Sequence, residues 1–486
     1  MLIPLLLLAP ILGAFIISLF SYYYKLRIST LYTIALFTTV SNFIIGIVVW
    51  LSLDMSESVM ITYNLTEYNN LLGSNISIGV DNLSIYFILL TVFTFPICIL
   101  ASYGIVSHSQ ELYLILWLLL ESLLLSVFMV QSLLAFYIAF ESILIPLFII
   151  IGIWGSGHNR IRATFLFFLY TLTGSLFMLL SFAKISATTL TSDIISLNLI
   201  SLTPETQYWI WGGIFFSLAV KTPLVPFHYW LKWAHSYANV AGSVILAGIV
   251  LKLAAYAILR ILIPLLPEAT YYFSPLVLTL AIISLIYSSL TTLRQIDIKQ
   301  LVAYSSVAHM AVVILGLFSN NAIGIQGGFI LSLAHGFVSP ALFILVGGIL
   351  YDRYHSRLIK YYRGLSSSMP LFSTLFVIAT LANIGTPGSC NFIGEILCLS
   401  GVFNYNFLAG VLGALGIILS AAYGVWALNR MIGGTISPNF NTLSTDINKR
   451  EFLMIITLII PTILFGLIPW VISKDIDYAL SFVLYS

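Results

Sequence analysis

Fourteen apolar runs follow one another along the chain, and each is long enough, at about 17 to 25 residues, to cross a lipid bilayer as a helix. The runs begin near Leu2, Ser29, Leu83, Leu112, Leu133, Ala163, Ile210, Val240, Phe273, Leu301, Ile323, Leu371, Phe407 and Phe452. Only 7% of the residues are charged, whereas soluble domains carry roughly a quarter. The sequence therefore predicts an all-α polytopic membrane protein, folded as a single transmembrane domain over residues 1–486.

The charges outside these runs alternate from one connecting segment to the next. One side of the predicted membrane has Lys25, Arg27, Arg160, Arg162, Lys232, Arg294, Lys299, Arg353, Arg357, Lys360, Arg363, Arg430, Lys449 and Arg450. The other side has Asp54, Glu57, Glu67, Glu111, Asp193, Glu205 and Glu268, with Lys184, Arg260 and Lys474 as the nearby cations. Because lysine and arginine concentrate on one side of a membrane protein, and one missed helix would scramble this alternation, the pattern supports fourteen helices. It also predicts that both termini lie on the less basic side.

Several kinds of site are not indicated by the sequence. A net charge of +2 provides no basic face for nucleic acid, and the chain has neither a Walker loop nor a strand-associated GxGxxG. Cys98, Cys390 and Cys398 lie in apolar stretches without a CxxC pair, which is typical of packing residues rather than of disulfides or iron–sulfur ligands. The first run lacks a basic leader and an Ala-x-Ala site, so we expect a first helix rather than a removed presequence. We expect no nucleotide, redox cofactor or metal in this chain.

Seven ionisable side chains lie inside the apolar runs, on predicted helices 4, 5, 7, 8, 10, 11 and 12. They are Glu121, Glu141, Lys221, Lys252, His309, His335 and Glu395. A charge at the centre of a bilayer costs about 2.5 to 3.5 kcal/mol on insertion scales, so such residues are functional candidates. Each group can gain or lose a proton when burial and neighbouring charges shift its pKa, and a buried acid beside a buried lysine titrates as a coupled pair. The series predicts a proton path through the membrane.

Two other interpretations of these residues remain open. The charged pairs could be static and hold the helices together in a structural membrane scaffold. His309 and His335 could be the axial ligands of a haem, although a haem-bearing bundle would be expected to show a second histidine pair and glycine-lined faces. The remaining histidines at loop positions are expected to be solvated surface residues: His108, His158 and His355.

Predicted helices 7 and 12 are both interrupted. Pro223 and Pro226 break the hydrogen-bond ladder of the first, and Gly385, Pro387 and Gly388 break that of the second. Each is the fourth helix of a set of five, helices 4–8 and 9–13, and broken helices at matching positions indicate two inverted repeats with an ion path near the midplane. The alternative is a pair of kinks that serve packing alone. The predicted segments are 1–110, 111–262 (first repeat), 272–430 (second repeat) and 431–486.

The segment from Ala219 to Arg260 carries the most specific family pattern. It reads AVKTPLVPFHYWLKWAHSYANVAGSVILAGIVLKLAAYAILR and resembles the signature of the antiporter-like membrane subunits of respiratory NADH:ubiquinone oxidoreductase, complex I. Similar matches are IGVDNLSIYFILLT around Asp81, LAFYIAFESILIPLFIIIGIWG around Glu141, LRQIDIKQLVAYSSVAHM around His309 and NIGTPGSCNFIGE around Glu395. The resemblance covers roughly residues 81–425. Lys232 departs from it, since related sequences commonly have proline there, and we expect Lys232 to be a surface charge.

The resemblance implies roles for the intramembrane residues. Glu141 and Lys221 would form the charged pair of a first half-channel. Lys252 and His309 would continue a central axis, and Glu395 would lead to the far side. Glu121 falls where the family often has a glutamate. Independently of the resemblance, the chemistry of histidine favours proton relay or water contact for His309 and His335.

The resemblance also implies partners, cofactors and a location. The chain would move protons while FMN, iron–sulfur clusters and ubiquinone react in other subunits, and it would contact membrane-arm neighbours that include the antiporter-like chains 2 and 5. The bilayer surrounds it, with cardiolipin as a candidate lipid. An AT-biased composition favours the mitochondrial inner membrane, with the basic side facing the matrix and both termini facing the intermembrane space; a bacterial plasma membrane is the alternative. The main rival function is a subunit of a multi-subunit cation/proton antiporter, which resembles the same helices.

Overall fold

The computed structural model describes residues 2–24, 27–53, 61–64, 77–106, 108–435 and 445–485. Four residues of the charge pattern lie outside these ranges: Lys25, Asp54, Glu57 and Glu67. Most of the described chain is helical, and twelve of the described helices are long and apolar enough to cross a membrane. The all-α polytopic fold class is therefore confirmed.

The helices up to the first break are α1 (Leu2–Tyr24), α2 (Ile28–Ser52), α3 (Ser84–Ser102), α4 (Gln110–Met129), α5 (Leu133–Ser142), α6 (Leu144–Trp154), α7 (Arg160–Thr189), α8 (Ile194–Leu197) and α9 (Pro204–Lys221). The next are α10 (Tyr229–Tyr237), α11 (Val240–Ile245), α12 (Leu251–Ala257), α13 (Ile263–Leu265), α14 (Pro267–Leu293), α15 (Ile298–Leu317), α16 (Ala322–Phe343) and α17 (Tyr351–Tyr354). The last are α18 (Leu365–Ser368), α19 (Pro370–Ile384), α20 (Cys390–Tyr405), α21 (Phe407–Ile432), α22 (Lys449–Leu467) and α23 (Trp470–Tyr485).

Both predicted broken helices are broken in the structure. Predicted helix 7 consists of α9, which ends at Lys221, and α10, which begins at Tyr229. Predicted helix 12 consists of α19 and α20; α19 ends at Ile384 and is capped by Gly385, which has the left-handed conformation with φ +80°. Glycine adopts this conformation without the steric cost that a Cβ would impose, so it ends the helix cleanly. These two broken helices complete the fourteen predicted spans.

Predicted helix 5 has a break that was not expected. α5 ends at Ser142 and α6 begins at Leu144, so the break at Ile143 lies two residues after Glu141. Pro146 lies in the first turn of α6 and has no N–H to donate to the Ser142 carbonyl, so the hydrogen-bond ladder cannot run through this point.

Three π-helical turns occur among the described spans. Two of them, Leu246–Val250 and Ile258–Leu262, lie in the span Val240–Leu265, and the third, Ile344–Leu350, lies in the span Ala322–Tyr354. Such turns widen the helix by one residue per turn and often lie at functional sites. Lys252 follows the first of them by two residues.

The polar composition of the segment from roughly Asp54 to Val80 predicts a loop, and this prediction is wrong where two short strands form. β1 (Ile61–Asn64) and β2 (Ser77–Val80) form a two-stranded antiparallel sheet in which Thr62 pairs with Gly79. The strands are only four residues long, which is too short for hydrophobic periodicity to reveal. α23, which follows the last predicted span, was not expected as a helix either.

Contacts between Cα atoms divide the chain into two compact units. Unit 1 comprises Met1–Lys221, Leu253–Tyr272 and Asp475–Ser486, and unit 2 comprises Thr222–Lys252 and Phe273–Lys474. Glu121, Glu141 and Lys221 belong to unit 1. The other four candidate residues belong to unit 2: Lys252, His309, His335 and Glu395.

Candidate functional site

Six of the seven candidate side chains are buried, with exposed fractions of 0 to 3%: Glu121, Lys221, Lys252, His309, His335 and Glu395. Glu141 is half-buried, and its Oε1 atom is shielded. Ionisable groups are almost never buried to this extent unless they are paired or functional. The apolar runs therefore do place these groups in the protein interior.

In unit 2, a lysine contacts a histidine from another helix. Lys252 Nζ lies 2.8 Å from His335 Nδ1, and it also donates a hydrogen bond to the Ala247 carbonyl. The approach of the two backbones allows this contact, because a Cβ on Gly248 would lie only 3.1 Å from Pro340 Cγ. Lys252 is one turn beyond Gly248 and His335 is just over one turn before Pro340, so both side chains meet beside the close crossing.

A second histidine and a glutamate extend the contact. The rings of His335 and His309 have centroids 5.7 Å apart, and His309 Nδ1 lies 3.4 Å from Glu395 Oε1. Tyr423 Oη is 3.5 Å from the other ring nitrogen of His309. Lys252, His335, His309 and Glu395 therefore form a contiguous series, which we call the unit 2 series, with members on α12, α16, α15 and α20.

Glycines position Glu395 at the end of this series. A Cβ on Gly394 would lie 2.7 Å from the Leu331 backbone, so α20 packs closely against α16 at this point. A Cβ on Gly385 would lie 2.4 Å from Glu395 Oε2, so the carboxylate rests against the glycine that ends α19. The helix break predicted from sequence thus borders a buried carboxylate.

Glu141 and Lys221 in unit 1 are arranged differently. Their charges interact, but no ion pair within 4.0 Å joins them in the described part of the chain. Lys221 Nζ lies 4.3 Å from the centroid of the Phe140 ring, and neither Nζ nor Glu141 Oε1 has a hydrogen-bond partner among the residues that the structure describes. Lys221 is the last residue of α9, where the ladder ends, and Glu141 stands one residue before the end of α5. Both members of the pair therefore adjoin a helix break.

Glu121 has a separate environment in unit 1. Its Oε1 accepts a hydrogen bond of 2.8 Å from Asn42 Nδ2. Glu121 Oε2 and Asn42 Oδ1 are both buried without a hydrogen-bond partner in the described part of the chain. Among the described residues, no hydrogen bond or ion pair links Glu121 to Glu141 or Lys221, so the structure does not bring it into the same cluster.

Two buried ionisable groups in unit 2 were not predicted from the sequence. His235 is fully buried on α10, and its ring stacks on Phe343 with centroids 4.7 Å apart. Neither ring nitrogen has a hydrogen-bond partner within the described ranges. Lys299 was expected to be a charge in a loop, and this prediction is wrong. The residue lies in the first turn of α15 and is 1% exposed. Its Nζ donates a hydrogen bond of 2.7 Å to the Ala238 carbonyl. Both residues lie next to polar connecting segments, and an ionisable residue in such a segment is usually exposed to solvent. The one sequence feature that could have indicated burial is the apolar run that follows Lys299, from Leu301 onward.

Other predicted features have simple environments. The three loop histidines, His108, His158 and His355, are exposed as expected, and the three cysteines are buried. Lys232 lies on α10 and is half-buried. Arg260 forms an ion pair of 2.7 Å with Asp81. No group of three potential metal-ligating side chains occurs among the described residues.

Comparisons with known proteins agree on one family. Residues 130–420 match the family described as NADH:quinone oxidoreductase/Mrp antiporter, TM. The NADH-ubiquinone oxidoreductase chain 4 of Mycosarcoma maydis is 50% identical over 100% of this chain and 99% of its own length. A chain of respiratory complex I from Thermus thermophilus with bound NADH superposes with a TM-score of 0.88 at 29% identity, covering 99% of each chain. A chain of the Mrp complex from Dietzia sp. has the same fold, with a TM-score of 0.86 at 17% identity over 99% of each chain.

Proposed function

The chain belongs to the NADH:quinone oxidoreductase/Mrp antiporter family, and we infer that it translocates protons as a membrane-arm subunit of a respiratory NADH:ubiquinone oxidoreductase, complex I. It corresponds to the subunit that its relatives name chain 4. The observation that carries this function is the full-length identity of 50%, because the Mrp chain, at 17%, shares only the fold. The rival function, a cation/proton antiporter without an NADH-driven partner, is thereby disfavoured.

The unit 2 series is the proposed central segment of the proton path. A protonated Lys252 can donate through Nζ to His335 Nδ1, since the two atoms are 2.8 Å apart. His309 can exchange a proton with Glu395 across 3.4 Å. Between the two histidines, a centroid distance of 5.7 Å calls for a ring rotation or one bridging water. Each residue in the series is one that can hold and release a proton, which is what a relay requires.

Glu141 and Lys221 form the proposed half-channel of unit 1. Their charges affect each other without a direct bond, so protonation of one changes the proton affinity of the other. Adjoining helix ends leave backbone groups free to bind water, as a conducting segment requires. Glu121 is proposed as a lateral protonatable residue rather than as a member of the main series.

No redox cofactor is proposed for this chain. FMN, the iron–sulfur clusters and ubiquinone would react in other subunits of the complex. The contacts of His309 support a relay role rather than haem ligation, because its two ring nitrogens face Glu395 and Tyr423. The chain contributes proton movement to an oxidoreductase whose electron transfer occurs elsewhere.

The proposed partners are the neighbouring antiporter-like chains 2 and 5, together with membrane lipids that include cardiolipin. The proposed location is the mitochondrial inner membrane, with the basic side in the matrix and both termini towards the intermembrane space. Two observations support this location. The chain matches NADH-ubiquinone oxidoreductase chain 4 relatives over its full length, and twelve of its described helices are long and apolar enough to cross a membrane. A bacterial plasma membrane is the alternative.

Gentle detergent extraction of the native membrane tests this function. The extract is run on a native gel, stained for NADH dehydrogenase activity, and the active band is identified by mass spectrometry. We expect the chain in a large active band together with flavin and iron–sulfur subunits. Its recovery with other small membrane subunits and no NADH activity would instead support the cation/proton antiporter.

A further inference from the structure

A cleft of about 790 Å³ opens in unit 2 where α21 ends. Its walls come from the connection between α14 and α15, from residues 358–363 and from the last turn of α21 with the glycines that follow. Three of the lining residues are cations, Lys360, Arg363 and Arg430, and none of the lining residues is acidic. The cleft therefore carries an unbalanced positive charge.

The three cations are oriented by contacts other than ion pairs. None of the ion pairs in the described part of the chain includes them. The Arg430 guanidinium lies 5.7 Å from the Trp426 ring, a cation–π contact that leaves its N–H groups available. Arg363 lies against Gly434, where a Cβ would come within 2.9 Å of Nε and where φ is +88°. An incoming anion would thus meet charges that no carboxylate neutralises.

An exposed apolar stripe on α21 leads into this cleft. Val411, Leu415, Ile418 and Val425 are 39, 43, 65 and 55% exposed, and their spacing of three, four and seven residues places them on one face of the helix. The stripe ends just over one turn before Arg430. Trp426 at this level is typical of the boundary between hydrocarbon and headgroups.

We propose that the cleft binds the headgroup of an anionic phospholipid, whose acyl chains lie along the α21 stripe. Basic pockets between membrane helices on the positive side of a membrane protein bind anionic headgroups in this way. A free phosphate shares the chemistry of the headgroup, but it has no acyl chain that could pack against the apolar stripe. The proposal assigns a site to the lipid partner named above, and it does not depend on the proton path.

Photolabelling of the assembled complex tests the site. The purified complex is reconstituted in phosphatidylcholine vesicles that contain a trace of phosphatidylglycerol with a diazirine on its acyl chain. After illumination, mass spectrometry maps the labelled peptides. We expect labelling within α21, removal of the label by excess cardiolipin or phosphatidylglycerol, and none by excess phosphatidylcholine. Replacement of both arginines, Arg363→Gln with Arg430→Gln, should lower the yield by about 25-fold, or about fivefold for each cation.

The matched control replaces two exposed lysines elsewhere, Lys184→Gln with Lys474→Gln, and should keep the wild-type yield. NADH-stained native gels establish that both double variants assemble. Equal labelling in the arginine variant would overturn the proposal. Two further results would also overturn it: displacement of the label by inorganic phosphate as effectively as by lipid, or cross-linking of the cleft to a neighbouring subunit that excludes the lipid.

Discussion

The ionisable residues of the two units are organised in contrasting ways. In unit 2, four side chains touch in sequence from Lys252 to Glu395, with heavy-atom distances of 2.8 Å and 3.4 Å at the two ends. In unit 1, the charges of Glu141 and Lys221 interact but the two side chains have no direct bond, and each has a buried polar atom with no hydrogen-bond partner among the described residues. Contiguous contacts favour conduction, whereas a separated pair requires water or a side-chain movement before a proton can pass.

This contrast predicts that the two units differ in how much they must rearrange before a proton can pass. In unit 2 the two outer steps are direct contacts, and only the step between the two histidines needs a ring rotation or a bridging water. A pair that must first be bridged can interrupt the path, and both members of the unit 1 pair adjoin helix breaks. We therefore expect the Glu141–Lys221 pair to need more rearrangement than the unit 2 series before a proton can pass.

The largest effect is expected for Lys252→Arg. Arginine keeps the positive charge but cannot release its proton at physiological pH, so a relay stops while a static charge is preserved. We expect NADH-driven proton uptake by proteoliposomes to fall by at least about tenfold in an assembled complex. The control is Lys184→Arg at an exposed position. Wild-type uptake by the Lys252→Arg complex would mean that Lys252 acts only as a fixed charge.

A somewhat smaller loss is expected for Glu395→Gln. Glutamine has nearly the same shape and can keep the contacts with His309 and Gly385, but it cannot carry a proton. Proton uptake should fall about fivefold, and Glu395→Asp, which restores an acid, should recover part of it. The ratio of protons taken up to NADH oxidised is the informative measurement. If glutamine and aspartate behave alike, the carboxylate is not a proton carrier.

For the unit 1 pair, we expect Glu141→Ala and Lys221→Ala each to lower pumping about threefold and, with tight coupling, to slow NADH oxidation as well. Because the two charges interact, the double variant should lose less than the product of the two single losses. Proton uptake and NADH oxidation are measured on the three assembled complexes. Wild-type rates and proton yields in either single variant would exclude the role proposed for this pair, and strictly multiplicative losses would show that the two residues act independently.

The helices and the buried charges could be predicted from the sequence because the bilayer imposes simple rules. A span needs about 20 apolar residues, so runs such as the one from Leu2 are unmistakable. Clustered prolines and glycines favour a helix break, which predicted the interruptions after α9 and α19, although single prolines such as Pro96 and Pro340 lie inside unbroken helices. A charged side chain inside an apolar run is costly to expose to lipid and therefore faces the protein interior. Lys252 and Glu395 could thus be selected from the sequence as buried functional candidates.

The contacts and the polar segments could not be predicted in the same way. Lys252 and His335 are 83 positions apart, and their contact depends on how closely Gly248 approaches Pro340. Lys299 is buried because its long side chain reaches back to a carbonyl on another segment, which a loop-like sequence context conceals. Residue periodicity describes a single element, whereas these features arise from packing between elements.

The smallest effect is expected for Glu121→Gln, and it tests whether the contrast between the units extends to every buried acid. Glu121 bonds to Asn42 and to none of the other six candidates, so a glutamine that can replace this bond should leave pumping within about twofold of wild type. Glu121→Leu should behave differently, because it leaves the buried Asn42 amide unsatisfied at a cost of about 1 to 3 kcal/mol, which would appear as faster thermal inactivation of the complex. If Glu121→Gln instead abolished pumping as Lys252→Arg should, unit 1 would contain a second conducting site, and a separated pair would no longer distinguish it from unit 2.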